Sequence, residues 1–153
     1  MPVSLDPIIY ELEAYVSNGI TDADIEILDS GSVAISLASG NIPVSIPATE
    51  AETPSDSVKL TIHNISLYDI SDIYIIPIYN NEDPDTIKAH DYVEFTTDTS
   101  SSWISGAYVP IQTGSVLASS GTVDFYVRSN PPVGVVSGVK SMYFDIEYEI
   151  AET

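Results

Sequence analysis

Met142-Tyr143-Phe144-Asp145-Ile146-Glu147-Tyr148-Glu149-Ile150 alternates in polarity over nine residues. Met142, Phe144, Ile146, Tyr148 and Ile150 share one side of an extended chain; Asp145, Glu147 and Glu149 share the other. Successive strand side chains point to opposite faces, so the pattern predicts a strand with one face in a core and one in water.

Upstream, Thr122-Val123-Asp124-Phe125-Tyr126-Val127-Arg128 and Val58-Lys59-Leu60-Thr61-Ile62-His63 repeat the alternation. Asp72-Ile73-Tyr74-Ile75-Ile76-Pro77-Ile78-Tyr79 is apolar on both faces. It reads as a central strand, with Pro77 near its end or at a bulge. Shorter strands are expected over 24–28, 32–38, 42–46, 91–96 and 107–111. Asn18-Gly19, Ser30-Gly31, Ser39-Gly40-Asn41, Asn80-Asn81, Thr113-Gly114 and Ser120-Gly121 supply the turn signals between them. Strands at such short intervals predict an all-β sandwich or barrel.

Residues 6–16 fit two readings. Asp6 as N-cap and Pro7 at the first helical position would open a helix. Over 9–16, Tyr10, Leu12, Ala14 and Val16 instead form one apolar side and both acids fall on the other, which favours a strand. Residues 47–57 contain no large apolar side chain and read as a linker. They divide an N-terminal β arm or small subdomain (1–47) from a sandwich (57–153).

The chain has 153 residues, enough to bury a core without staples, and no cysteine. Four Lys+Arg face 23 Asp+Glu, a formal net charge of −19. Nucleic-acid binding needs cations to replace phosphate counterions, so a nucleic-acid partner is not expected. An anionic membrane surface is disfavoured by the same argument. Such an excess exceeds what solubility needs. It suits high salt, as in a halophilic host, where the Debye length falls to about 3 Å at 1 M. Divalent cations or a basic partner would neutralise it equally well. The N-terminus has no basic or continuous apolar leader, and no apolar run reaches membrane-spanning length, so neither a signal peptide nor a transmembrane segment is expected.

Val58 to Ser66, an alternating strand ending in Asn64 before a polar loop and a second apolar strand at 73–79, resembles immunoglobulin-like β-sandwich modules of prokaryotic and viral surface proteins. Ser120-Gly121-Thr122-Val123-Asp124-Phe125-Tyr126-Val127 is similar to their Gly-led penultimate strand. Asn130-Pro131-Pro132-Val133-Gly134 resembles the loop after it, and 140–149 their final strand. The resemblance spans about 57–150. It implies an immunoglobulin-like antiparallel sandwich and a role in adhesion or assembly, and carries over no functional residues.

Few constellations suggest chemistry. Asn80, Glu82, Asp83 and Asp85 place hard oxygen ligands in one loop, the donor type calcium takes, though without EF-hand spacing. Asp22, Asp24 and Asp29 form a second, weaker group. His63 and His90 lie far apart and lack a third ligand, so they read as exposed structural histidines. No Gly-x-Ser-x-Gly elbow or phosphate loop occurs. Asn64-Ile65-Ser66 matches a glycosylation sequon, with chance the better explanation. Trp103 and Tyr108, in and beside a polar small-residue loop, are the candidate interface residues.

The expectation is therefore a non-enzymatic structural protein of a virion, a capsid decoration or a tail component of a tailed virus. It would assemble in the host cytoplasm as a homo-oligomer or with other virion proteins, with no cofactor unless calcium. A cell-surface or extracellular binding module for carbohydrate or protein is the alternative.

Overall fold

The computed structural model describes residues 10–17, 24–35, 43–79, 91–100, 102–132 and 138–150. Among them the regular elements are strands: β1 (Tyr10–Ser17), β2 (Ile25–Leu28), β3 (Val44–Thr49), β4 (Val58–Asn64), β5 (Ile70–Tyr79), β6 (Val93–Thr96), β7 (Val109–Leu117), β8 (Thr122–Ser129) and β9 (Gly138–Ile150). They form a five-stranded sheet, ordered β3-β1-β9-β5-β7, and a four-stranded sheet, ordered β2-β4-β8-β6. The two sheets pack together as a β-sandwich, the expected all-β class. No helix among the described residues is long and apolar enough to cross a membrane.

Alternation decides what each strand buries. In β9, Met142, Phe144 and Ile146 are buried, as their spacing requires. Ile150, read as core from the same pattern, is exposed at the strand's end. In β1, Leu12, Ala14 and Val16 face the core while Glu11 and Glu13 face water, so 10–17 is strand rather than helix. The sheet pairs are antiparallel apart from β1 with β9, which run parallel from Tyr10↔Gly138 to Ser17↔Asp145. Strand β5 is central as expected, between β9 and β7, and Pro77 lies near its end.

Strand β7 is longer than the expected 107–111. Thr113-Gly114 reads as a turn, yet the chain continues in the sheet. Ser71 pairs with Val116 and Ile73 with Gln112, so β7 spends extra residues against β5 and bulges there. Gly114 takes φ +77° at that bulge, a conformation open to glycine without a Cβ clash.

Residues 47–57 are also more structured than a linker. Strand β3 runs through Thr49. Beyond it, Glu52 N–H donates to Pro131 O at 2.6 Å, Ser55 N–H to Ser129 O at 2.8 Å, and Ser129 N–H to Ser55 Oγ at 3.0 Å. Composition missed this because backbone hydrogen bonds need no apolar side chain.

One buried cluster fills the space between the sheets. It includes Leu12, Val16, Ile25, Ile27, Val44 and Ile46 together with Leu60, Ile73, Phe95, Phe125 and Phe144. Residues before 50 therefore share the core of the later strands. Phe95 sits at an aromatic centre, 5.0 Å from Phe144 edge-on and 6.3 Å from Phe125. Phe144→Ala is expected to cost about 3–5 kcal/mol in urea denaturation, by lost burial and the cavity left behind. Tyr143→Ala, one position along on the outer face, should cost less than half of that.

Candidate functional site

The expected calcium ligands Asn80, Glu82, Asp83 and Asp85 lie outside the described residues, as does His90. The second acidic group is occupied structurally where it is described. Asp24 Oδ2 accepts from Tyr148 Oη at 2.7 Å, and Asp29 Oδ1 accepts from Gly31 N–H and Val33 N–H at 2.8 and 2.9 Å. Among the described residues no three of His, Asp and Glu converge to hold a metal ion. His63 lies on the outer face of β4, with Nδ1 2.7 Å from Glu26 Oε1 of β2.

Trp103 and Tyr108 do not share a site. Trp103 is half-buried beneath Arg128, whose guanidinium lies 4.2 Å from the ring centroid and whose Nε donates to Glu94 Oε1 at 2.9 Å. Arg128 points outward from the four-stranded sheet, between buried Val127 and Ser129. Tyr108 is 61% exposed and meets Tyr74 edge-on at 6.5 Å, on the outside of the five-stranded sheet.

Those outer faces differ in chemistry. On the four-stranded sheet, Lys59 and Arg128 each have a carboxylate neighbour, Asp124 at 4.0 Å and Glu94 at 2.9 Å, and the His63 ring lies against Glu26. Cross-strand pairing brings them together: Glu26 registers with His63 and Glu94 with Arg128, while Lys59 reaches Asp124 diagonally, from two residues before Thr61, which Asp124 directly opposes. The five-stranded sheet instead shows Glu11, Glu13, Asp145 and Glu147 among Tyr15, Tyr74, Ile78 and Tyr143. Its β5 is apolar on both sides, yet among the described residues no third layer covers the outward side, and Ile78 and Tyr143 are exposed there. A shallow cavity of about 350 Å³ lies where the β5–β9 register shifts, lined by Asp72, Tyr74, Ile146, Glu147, Tyr148 and Glu149.

Burial pushes the Asp145 carboxyl above its ordinary pKa of 3.8, and a hydrogen bond from the Ile146 backbone offsets part of the rise. The fold therefore favours the protonated form. The destabilisation is absent below the ordinary carboxylate pKa and complete above the raised one. Asp145→Asn should raise the melting temperature at pH 7, and the gain should vanish near pH 3. Glu11→Gln, at an exposed position, serves as the control for general charge relief.

The most constrained surface feature is the loop after β4. Asn64 is fully buried, and its Nδ2 donates to Tyr68 O at 2.8 Å and Leu117 O at 3.0 Å. Its Oδ1 accepts from Ser66 N–H at 3.0 Å and Ser66 Oγ at 2.7 Å. Ser119 Oγ donates to Ser66 O at 2.6 Å, and Ile65 and Ser66 N–H both donate to Asp24 O. Every polar atom of the Asn64 amide is engaged. The chain between these anchors holds Leu67 and Tyr68 outward, 88% and 60% exposed. A rigid loop carrying an apolar and an aromatic side chain loses little entropy on binding, which makes it a candidate protein-contact site.

Sequence reasoning gave this loop no functional role, reading Asn64 as part of a sequon and as the end of an alternating strand. The signal was present: Leu60, Ile62 and Asn64 share one face of the alternating strand, so a polar residue stands at a core position. No protein-family model matches the chain, and comparison with curated proteins finds no significant relative.

Asn64→Ala should cost about 3 kcal/mol in urea denaturation, because it strands several buried backbone groups. Leu67→Ser and Tyr68→Ser should each stay within about 0.5 kcal/mol of wild type, as exposed positions do.

Proposed function

We propose that this chain is a non-enzymatic assembly protein of a virion, a capsid decoration or tail component built on an immunoglobulin-like sandwich. The observation that carries the assembly reading is the rigid loop presenting Leu67 and Tyr68. Fixed apolar side chains in water serve contact with another protein better than they serve solubility. The uncovered Tyr and Ile side chains outside the five-stranded sheet add a second contact surface.

Sheet order supports the immunoglobulin-like reading. If β2, β4, β5, β6, β8 and β9 stand for strands A to F, the four-stranded sheet reads A-B-E-D and β9-β5 reads F-C. Strand β1 then occupies the place of G, running parallel to β9 instead of antiparallel. Placement in a virion draws on the acidic balance, which speaks against nucleic-acid and membrane partners and suits an outward surface in salty water.

A second reading, a cell-surface binding module, draws on Tyr74 and Tyr108 beside the acidic cavity, an arrangement that could stack a sugar ring. Quantitative mass spectrometry of purified particles from the virus encoding the chain separates the two. The proposal expects many copies per particle, lost when Leu67 and Tyr68 are both replaced by Ser. Abundance in the host with none in intact particles would overturn it. Saturable binding to a glycan array would favour the second reading.

A further inference from the structure

We infer that a second copy of this chain docks along β7 and the segment leading into it, about a two-fold axis. This deepens the assembly reading by naming one partner, and it is testable without any particle. Carboxylates recur along most of the sequence, yet residues 99–123 contain no Asp, Glu, Lys, Arg or His. The fold lays the 102–117 part of this run along the sandwich margin, before the chain turns into the interior strand β8. After β6, Ile104 joins Phe95 through two backbone hydrogen bonds of 2.8 Å, occupying the free side of β6. The chain then becomes β7, the edge of the five-stranded sheet. Ile104, Tyr108 and Val116 are exposed along it.

Electrostatics selects this margin for a like-charged partner. A two-fold contact brings each surface against itself. Two carboxylates brought within contact distance repel each other even at a surface-like effective dielectric. Self-contact through the outside of the five-stranded sheet would oppose Glu11, Glu13, Asp145 and Glu147 with their own copies. On the other sheet, the described cations already have carboxylate neighbours within their own chain. Among the described residues, β7 and the segment leading into it contribute no charged side chain of their own to such a contact. A basic partner gains nothing there and would be drawn to the carboxylates instead, so the uncharged strip fits a second copy.

Backbone pairing across the two edges is short. Pro110 lacks an N–H, and the bulge at Gly114 interrupts the strand, so side chains such as Tyr108 and Val116 carry the contact.

Sedimentation equilibrium of the full chain across a salt series tests this. The expected result is a dimer that tightens as salt rises, because screening relieves the repulsion between two chains of net charge −19. Val116→Asp should weaken dimerisation at least about tenfold. Thr113→Asp, on the exposed bulge, should weaken it too and guards against misfolding of the first variant. The Leu67→Ser, Tyr68→Ser double variant should still dimerise, so loss of the dimer and loss of particle incorporation are separable. A monomer at every salt concentration, association that weakens with salt, or a dimer indifferent to both Asp substitutions would overturn the proposal.

Discussion

The apolar layer between the sheets draws on strands from both ends of the described chain. Leu12, Ala14 and Val16 of β1 join the same cluster as Met142, Phe144 and Ile146 of β9, and the parallel ladder between these strands fixes their register. Strand β9 is paired on both sides, by β1 and by β5. A slip of one residue would turn Asp145 and Glu147 inward and Phe144 and Ile146 outward, so burial and pairing hold the same register. The chain crossing between sheets, the loop after β4 and the bulged edge β7 are all placed with reference to this layer.

Charge is distributed on that frame unevenly. The four-stranded sheet spends its described cations on local cross-strand neighbours, which contribute little each on an exposed face. The five-stranded sheet leaves carboxylates among uncovered tyrosines and isoleucines. Strand β7 and the described segment leading into it carry no charged side chain. Three surfaces of one small sandwich thus differ in what they can approach, although the whole chain carries one strong net sign.

Much of the fold was legible because alternation is a geometric signal. Phe144 and Ile146 could be assigned to the core from spacing alone, as could Leu12 and Val16 once the helical reading was set aside. Residues 113–114 were misread because glycine serves turns and bulges alike, and only pairing with β5 separates the two. The site was less legible. Trp103 and Tyr108 are close in sequence but belong to opposite sheets, since the chain between β6 and β7 passes from one to the other. Asn64 was visible as a polar residue on a core face. That its amide would fasten Tyr68 and Leu117 depends on where the turn before β8 falls, which no local pattern encodes.

The parallel ladder also orders events in time. Tyr10 leaves the ribosome long before Gly138, its partner. Of the two described partners of β1, β3 is the one synthesised early, and it pairs through contacts such as Tyr10↔Thr49. Folding dominated by such distant pairings is slow, in the millisecond-to-second range for all-β domains. Throughout that interval the core strands are uncovered, and unpaired edges are open to other nascent chains. The same carboxylate excess that restricts contacts of the finished protein then keeps incomplete copies apart, so it protects synthesis as well as shaping assembly.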